Sequence, residues 1–161
     1  MLYTIEAWYP SQYVLQNSIE RIKKFAAKLC ANDFTASYPQ LLEKLNWKPV
    51  NQLVMEKRAL AMHHFTRGHR NLPDNAIALC RQEDRRRTGR TGHEWELVIP
   101  VISLEAVRSS SLNTARQTWN HLPEDIVEIP DPVRFKNAVK SPAVYDCLAC
   151  KGIIRRTELA I

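Results

Sequence analysis

The sequence predicts a mainly α-helical fold, a small bundle of about six helices with a minor β element. Three observations predict it. Apolar residues recur three and four positions apart over long stretches. Nine prolines stand against four glycines, which suits helices punctuated by proline better than strands joined by tight turns. Only the segment around 93–103 approaches the alternation of a strand. At 161 residues, with 45% hydrophobic and 25% charged content, the chain has the size and composition of one ordinary domain with one core. Residues 1–140 carry nearly all of the patterning and are assigned to one helical domain, and the tail 141–161 is left unassigned.

From Ser11 to about Ala31, Leu15, Ile19, Ile22, Ala26 and Leu29 fall on one helical face, expected to be buried. The opposite side holds Glu20, Arg21, Lys23, Lys24 and Lys28, a predominantly basic stripe expected in water, and Asn32-Asp33 ends the helix. Ser37 followed by Pro39 and Gln40 is the start signal of a short helix through Leu41, Leu42 and Leu45. After Trp47-Lys48-Pro49, a third helix begins at Val50, with Leu53, Val54, Lys57, Leu60, Ala61 and His64 along one face and Gly68 as its stop.

Leu72-Pro73-Asp74 opens a further short helix, with Ile77, Leu79 and Cys80 directed to the core. The stretch 81–92 contains Arg85-Arg86-Arg87 and Arg90 among glycine and threonine and has the character of an exposed basic loop. The strand-like segment 93–103 needs a pairing partner, which a missing part of a larger protein could supply. Leu112, Ala115, Trp119 and Leu122 again show helical spacing. Asp131-Pro132 caps a last helix carrying Phe135, Ala138 and Val139, which Pro142 ends.

The formal charge of +6 and pI near 9.3 favour polyanionic partners. No run of residues reaches the length of a membrane span, and the N-terminus lacks the layout of a secretory leader. An intracellular chain, nuclear or cytoplasmic, with four reduced cysteines is therefore expected. The aspartates are scattered and share no tight strand turn of the kind that holds two catalytic metal ions, so no catalytic residues are assigned and no enzymatic activity is expected of the chain itself. Four glycines cannot build a phosphate-cradling loop, and no cofactor is expected. Cys147 and Cys150 have the spacing of half a zinc site, although no second pair lies near them. Trp95 and Trp119 sit among apolar neighbours, which favours core packing over stacking on bases.

The order of these pieces resembles the region after the palm in non-LTR retrotransposon reverse transcriptases of the jockey-like type. Trp8-Tyr9-Pro10 and the helix Ile19-Glu20-Arg21-Ile22-Lys23-Lys24-Phe25-Ala26-Ala27-Lys28 are similar to that family's Trp-x-Pro and its following Ile-Glu, two-basic, Ala-Ala-Arg helix. Leu45-Asn46-Trp47 with Pro49, then Glu56-Lys57-Arg58, resemble its leucine-tryptophan joint and Glu-x-Arg-Arg run. Arg86-Arg87-Thr88-Gly89-Arg90-Thr91-Gly92-His93 looks like a lengthened Arg-Arg-Thr-Arg-Gly-His signature, and Trp119-Asn120-His121-Leu122-Pro123 with Phe135-Lys136 resembles the terminal pattern. The likeness runs from about Trp8 to Val139. Ser111-Leu112-Asn113-Thr114 departs from the family's Phe-Phe-Pro-Arg lead, and Arg116 stands where an aliphatic is usual.

The resemblance implies a helical thumb that grips a template–primer duplex beside a palm domain of a longer parent protein. Arg21, Lys24, Lys28, Arg86, Arg87 and Arg90 are then the residues expected to contact RNA or DNA backbone without reading sequence. Two other outcomes are compatible with the same residues: a translated retroelement remnant without activity, or a small zinc-dependent interaction module built on Cys147 and Cys150.

Overall fold

The computed structural model describes residues 4–70, 77–80, 92–101 and 103–161. Among them the chain is mainly helical, in accord with the predicted helical bundle. The helices are α1 (Ile5–Trp8), α2 (Tyr13–Ala31), α3 (Tyr38–Lys44), α4 (Val50–Thr66), α5 (Glu105–Arg108), α6 (Ser111–Asn120), α7 (Glu124–Val127), α8 (Pro132–Val139) and α9 (Pro142–Cys150), followed by a 3₁₀ turn at Thr157–Leu159. Five of the expected helices are among these nine, and the other four are α1, α5 and α7, single turns too short to show periodicity, and α9 in the tail.

Local signals account for most boundaries. Asn32 ends α2 in the left-handed conformation, φ 49°, and Gly68 does the same after α4 with φ 72°. At α3 the Gln40 side chain accepts from the Ser37 N–H at 3.0 Å, completing the capping box. Asp131 accepts from the Arg134 N–H at 2.7 Å, with Pro132 in the first turn of α8. Pro142 has a different role from the stop expected of it. Lys140 already caps α8, and Pro142 opens α9, where a missing N–H costs nothing.

The main core forms around α4, against which α6, α8 and α9 contribute Trp119, Phe135, Val139, Tyr145 and Leu148. Trp119 is 0% exposed, and its indole N–H donates to the Trp95 carbonyl at 2.7 Å. His63 stacks on Phe135 with ring centres 4.2 Å apart, and its Nε2 lies 2.8 Å from the Ile129 carbonyl. Because α4 has neighbours on several sides, it buries Val50, Asn51, Val54, Met55, Ala59, Met62 and His63. Of the single face expected for it, through Leu53, Val54, Lys57, Leu60, Ala61 and His64, Val54 is buried and Leu60 packs on the core, but Lys57, Leu53 and His64 are not part of the buried side. Lys57 is exposed and the other two are half-buried.

Two further corrections concern the minor β element and the tail. The extended segment finds its partner within the chain: Leu79 pairs antiparallel with Leu97, through Cys80 N–H to Glu96 O and Val98 N–H to Ala78 O, both 2.8 Å. Ile77 packs on the core as expected, whereas Leu79 is exposed. The expected helix at Leu72-Pro73-Asp74 lies outside the described residues. In the segment left unassigned, Val144, Tyr145 and Leu148 belong to the main core, and Ile161 packs on the cluster of Ala27, Tyr38, Leu41 and Leu42. Arg155, Thr157 and Ile161 meet successive parts of α2 and α3, so the tail runs alongside the first long helix and ties it to the rest.

Candidate nucleic-acid interface

Rotation of α2 about its own axis decides which side chains it shows. At about 100° per residue, Gln16, Glu20 and Ala27 point one way, while Leu15, Ile22 and Leu29 point nearly the other. Glu20 and Ala27 are both 0% exposed. The Glu20 carboxylate accepts from the Tyr38 hydroxyl at 2.5 Å, from the Val50 N–H at 3.0 Å and, more weakly, from the Thr157 hydroxyl at 3.5 Å. It thereby joins the helix to α3, to the first turn of α4 and to the 3₁₀ turn. Burial raises the Glu20 pKa above the ordinary carboxyl value, and the Tyr38 and Val50 donors partly oppose that. The Tyr38 phenol is pushed up in turn, by burial first and then by its bond to Glu20. The expectation that Glu20 stands in water is therefore overturned: a buried carboxylate is retained because every donor around it is satisfied by it.

The basic stripe flanks this anchored side. Arg21, Lys24 and Lys28, at i, i+3 and i+7, fall within about 60° of one another on the helix. Arg21 is exposed, Lys24 and Lys28 are half-buried, and among the described residues no carboxylate lies within ion-pair distance of any of them. Lys23 is turned inward instead: its ammonium donates to the Lys48 carbonyl, and burial lowers its pKa. Three uncompensated cations on one ridge can each neutralise a phosphate, with Arg21 able to offer two parallel donors.

Of the face expected to be buried, Ile19 packs on a core cluster and Ala26 is half-buried, and the rest is left open. Ile22 is 58% exposed and Leu29 55%, with Leu15 and Phe25 similarly bare. Beside them a groove of about 590 Å³ is lined by Trp8, Ile19, Ile22, Ala26, Trp47 and Leu53. Its edge carries Lys48, whose ammonium pairs with Glu56 at 2.6 Å and donates to the Lys140 carbonyl at 3.1 Å. The helix is oriented by its polar anchor: of its apolar stripe Ile19 packs on the cluster of Ile5, Tyr9, Val50 and Val54, and Leu15, Ile22 and Leu29 stay exposed among the described residues.

Arg86, Arg87 and Arg90 lie outside the described residues. The segment's flanks, Cys80 and His93, are joined to the structure near Glu96 and Trp119, at the end of α4 marked by His63. Glu20 meets the other end, at Val50. Thirteen residues of helix separate these two positions, about 20 Å. The α2 ridge and the flanks of the arginine segment therefore stand at opposite poles of the central helix.

Cys147 is half-buried and Cys150 exposed, both as free thiols. Among the described residues no group of three or more histidine, cysteine or acidic side chains is placed to hold a metal ion, so the zinc alternative has no ligand set there. Nor is any of their helices long and apolar enough to cross a membrane. Sequence reasoning did not assign Arg58, Arg155 and Arg156, which line one cleft. Arg58 stood in a charged run and the other two in a segment without periodicity, so nothing in their spacing marked the convergence. No protein-family model, curated protein or solved structure matches the chain.

Proposed function

We propose that this chain is a non-catalytic, thumb-like helical region of an RNA-directed DNA polymerase of the non-LTR retrotransposon type, acting inside the cell on the backbone of an RNA or DNA duplex. The observation that carries the binding is the ridge of Arg21, Lys24 and Lys28, three cations on one face of α2 with no carboxylate partner among the described residues. Arg86, Arg87 and Arg90 would add a second patch. Phosphate contacts of this kind give affinity without sequence preference and weaken as salt rises, because each neutralised phosphate releases a counterion. In the longer parent protein that the resemblance implies, a palm domain would cover the outer apolar face of α2.

That bare face also favours a second reading, an inactive remnant whose helices persist after the protein they served is gone. Anisotropy of a labelled RNA–DNA hybrid across a salt series separates the two. The expected result is binding whose log–log salt slope becomes shallower by about two to three when Arg21, Lys24 and Lys28 are all changed to alanine. A folded chain that fails to bind even at low salt would establish the remnant.

A further inference from the structure

A second concentration of positive charge lies in a cleft of about 690 Å³ between the start of α2, α4 and the returning tail. Three guanidinium groups line it, from Arg58, Arg155 and Arg156, and no carboxylate does among the described residues. Arg156 is paired with Asp146, which stands outside the lining. Among the described residues neither of the other two makes an ion pair, although the Glu6 carboxylate acts on Arg58 from a distance. Arg58 reaches only main-chain carbonyls, those of Glu6 at 3.3 Å and Tyr9 at 3.4 Å. Arg155 donates to the Asn17 side-chain oxygen at 3.3 Å and lies 4.8 Å over the ring of Tyr13.

Neutral acceptors at such distances compensate a desolvated guanidinium poorly, since bonds to charged partners are shorter and about twice as strong. Burial accordingly lowers the Arg58 pKa to about 10, with Tyr9 and Glu6 opposing. A cleft wall with two forks that make no ion pair among the described residues, and a third close by, presents many N–H donors to one volume. Tetrahedral oxyanions match that arrangement, because each fork can take two oxygens of one group.

We propose that the cleft of Arg58, Arg155 and Arg156 binds a phosphoryl group, either as a free phosphate anion or as the phosphomonoester end of a nucleotide strand. This site does not depend on the ridge of Arg21, Lys24 and Lys28. It lies at the head of α2, joined to the helix through Asn17, and it would hold one terminal group where the ridge would meet a run of backbone phosphates.

Calorimetric titration with inorganic phosphate, against acetate at matched ionic strength, tests it directly. Saturable phosphate binding is expected, weakened about tenfold in Arg155→Gln and at least as much in Arg58→Gln. The Arg21, Lys24 and Lys28 triple variant should keep it. Arg58 also caps the end of α1, so if its variant does not fold, Arg155→Gln and Arg156→Gln decide, each checked by circular dichroism. A 5′-phosphorylated trinucleotide that binds more tightly than inorganic phosphate, and than its 5′-hydroxyl counterpart, would assign a strand end. Equal affinity for the phosphorylated trinucleotide and inorganic phosphate would assign the free anion. Binding no stronger than that of acetate, or unchanged in both Arg155→Gln and Arg156→Gln, would overturn the site while leaving the duplex measurement unaffected.

Discussion

The core around α4 and the long helix α2 follow the same apolar periodicity and use it in opposite ways. In α6 and α8 the residues spaced for burial, Ala115, Trp119, Phe135 and Val139, are the ones buried. In α2 the corresponding residues, Leu15, Ile22 and Leu29, stay in water while a glutamate takes the inner position. Periodicity reports which face of a helix wants an apolar neighbour, and says nothing about whether the same chain supplies it. Around α4 three helices, α6, α8 and α9, compete to fill one space. Beside α2 the chain offers donors, the Tyr38 hydroxyl and the Val50 N–H, and these select the polar side.

The largest test of the comparison is removal of a ring from the first region. Trp119→Ala should cost about 3–5 kcal/mol, because a fully buried side chain leaves both a lost transfer term and a cavity among Phe135, His63 and Met62. Urea denaturation followed by far-ultraviolet dichroism measures it. A loss below about 1 kcal/mol would mean that the core closes over the gap and that the contrast with α2 is smaller than the burial suggests.

In α2 the corresponding weight falls on a polar residue. Glu20→Ala leaves the Tyr38 hydroxyl and Val50 N–H without their acceptor and should cost about 2–4 kcal/mol, at one to three for each stranded donor less what water recovers. The pH dependence sharpens this. The folded Glu20 carboxyl titrates above its ordinary value of 4.5, so the native state holds its proton more tightly than the unfolded chain. The contribution of this group is therefore most favourable below 4.5 and is lost as pH rises through the raised value. His63 acts in the other direction: its pKa is lowered from 6.5, chiefly by burial, so its contribution falls as the solution is acidified through that window. The wild-type minus Glu20→Gln difference in melting temperature isolates the first effect, and it should shrink or change sign as pH is raised from 4.5. A constant difference would remove Glu20 as a titrating anchor.

How much of this was legible follows from where the information resides. Caps are local, so Asn32, Ser37 with Gln40, Gly68 and Asp131 could be found one by one, and the helices they bound were found with them. The face of α6 was legible because Trp119 dominates any arrangement that buries it. The tail was not: Val144, Tyr145 and Leu148 occupy barely two turns, too few to establish a period, and Thr157 and Glu158 are buried by tertiary bonds to α2 and α9. At the candidate site, Arg21, Lys24 and Lys28 could be grouped because they share a helix. Arg58 and Arg155 are separated by more than half of the chain, and only folding brings them to one cleft.

The smallest expected effect is the most informative about α2. Ile22→Lys places a charge at the centre of its apolar stripe, where a helix packed into a core would lose several kcal/mol. With Ile22 58% exposed, the change should move the stability of the isolated chain by no more than about 0.5 kcal/mol, since the ammonium reaches water without displacing a contact. Thermal melts of wild type and variant at equal low concentration measure the shift. A loss above about 2 kcal/mol would show that another surface covers this face in solution, and the two regions would then obey one rule after all. A null shift leaves the helix as the structure has it, held by its buried glutamate on one side, with Leu15, Ile22 and Leu29 bare on the other among the described residues.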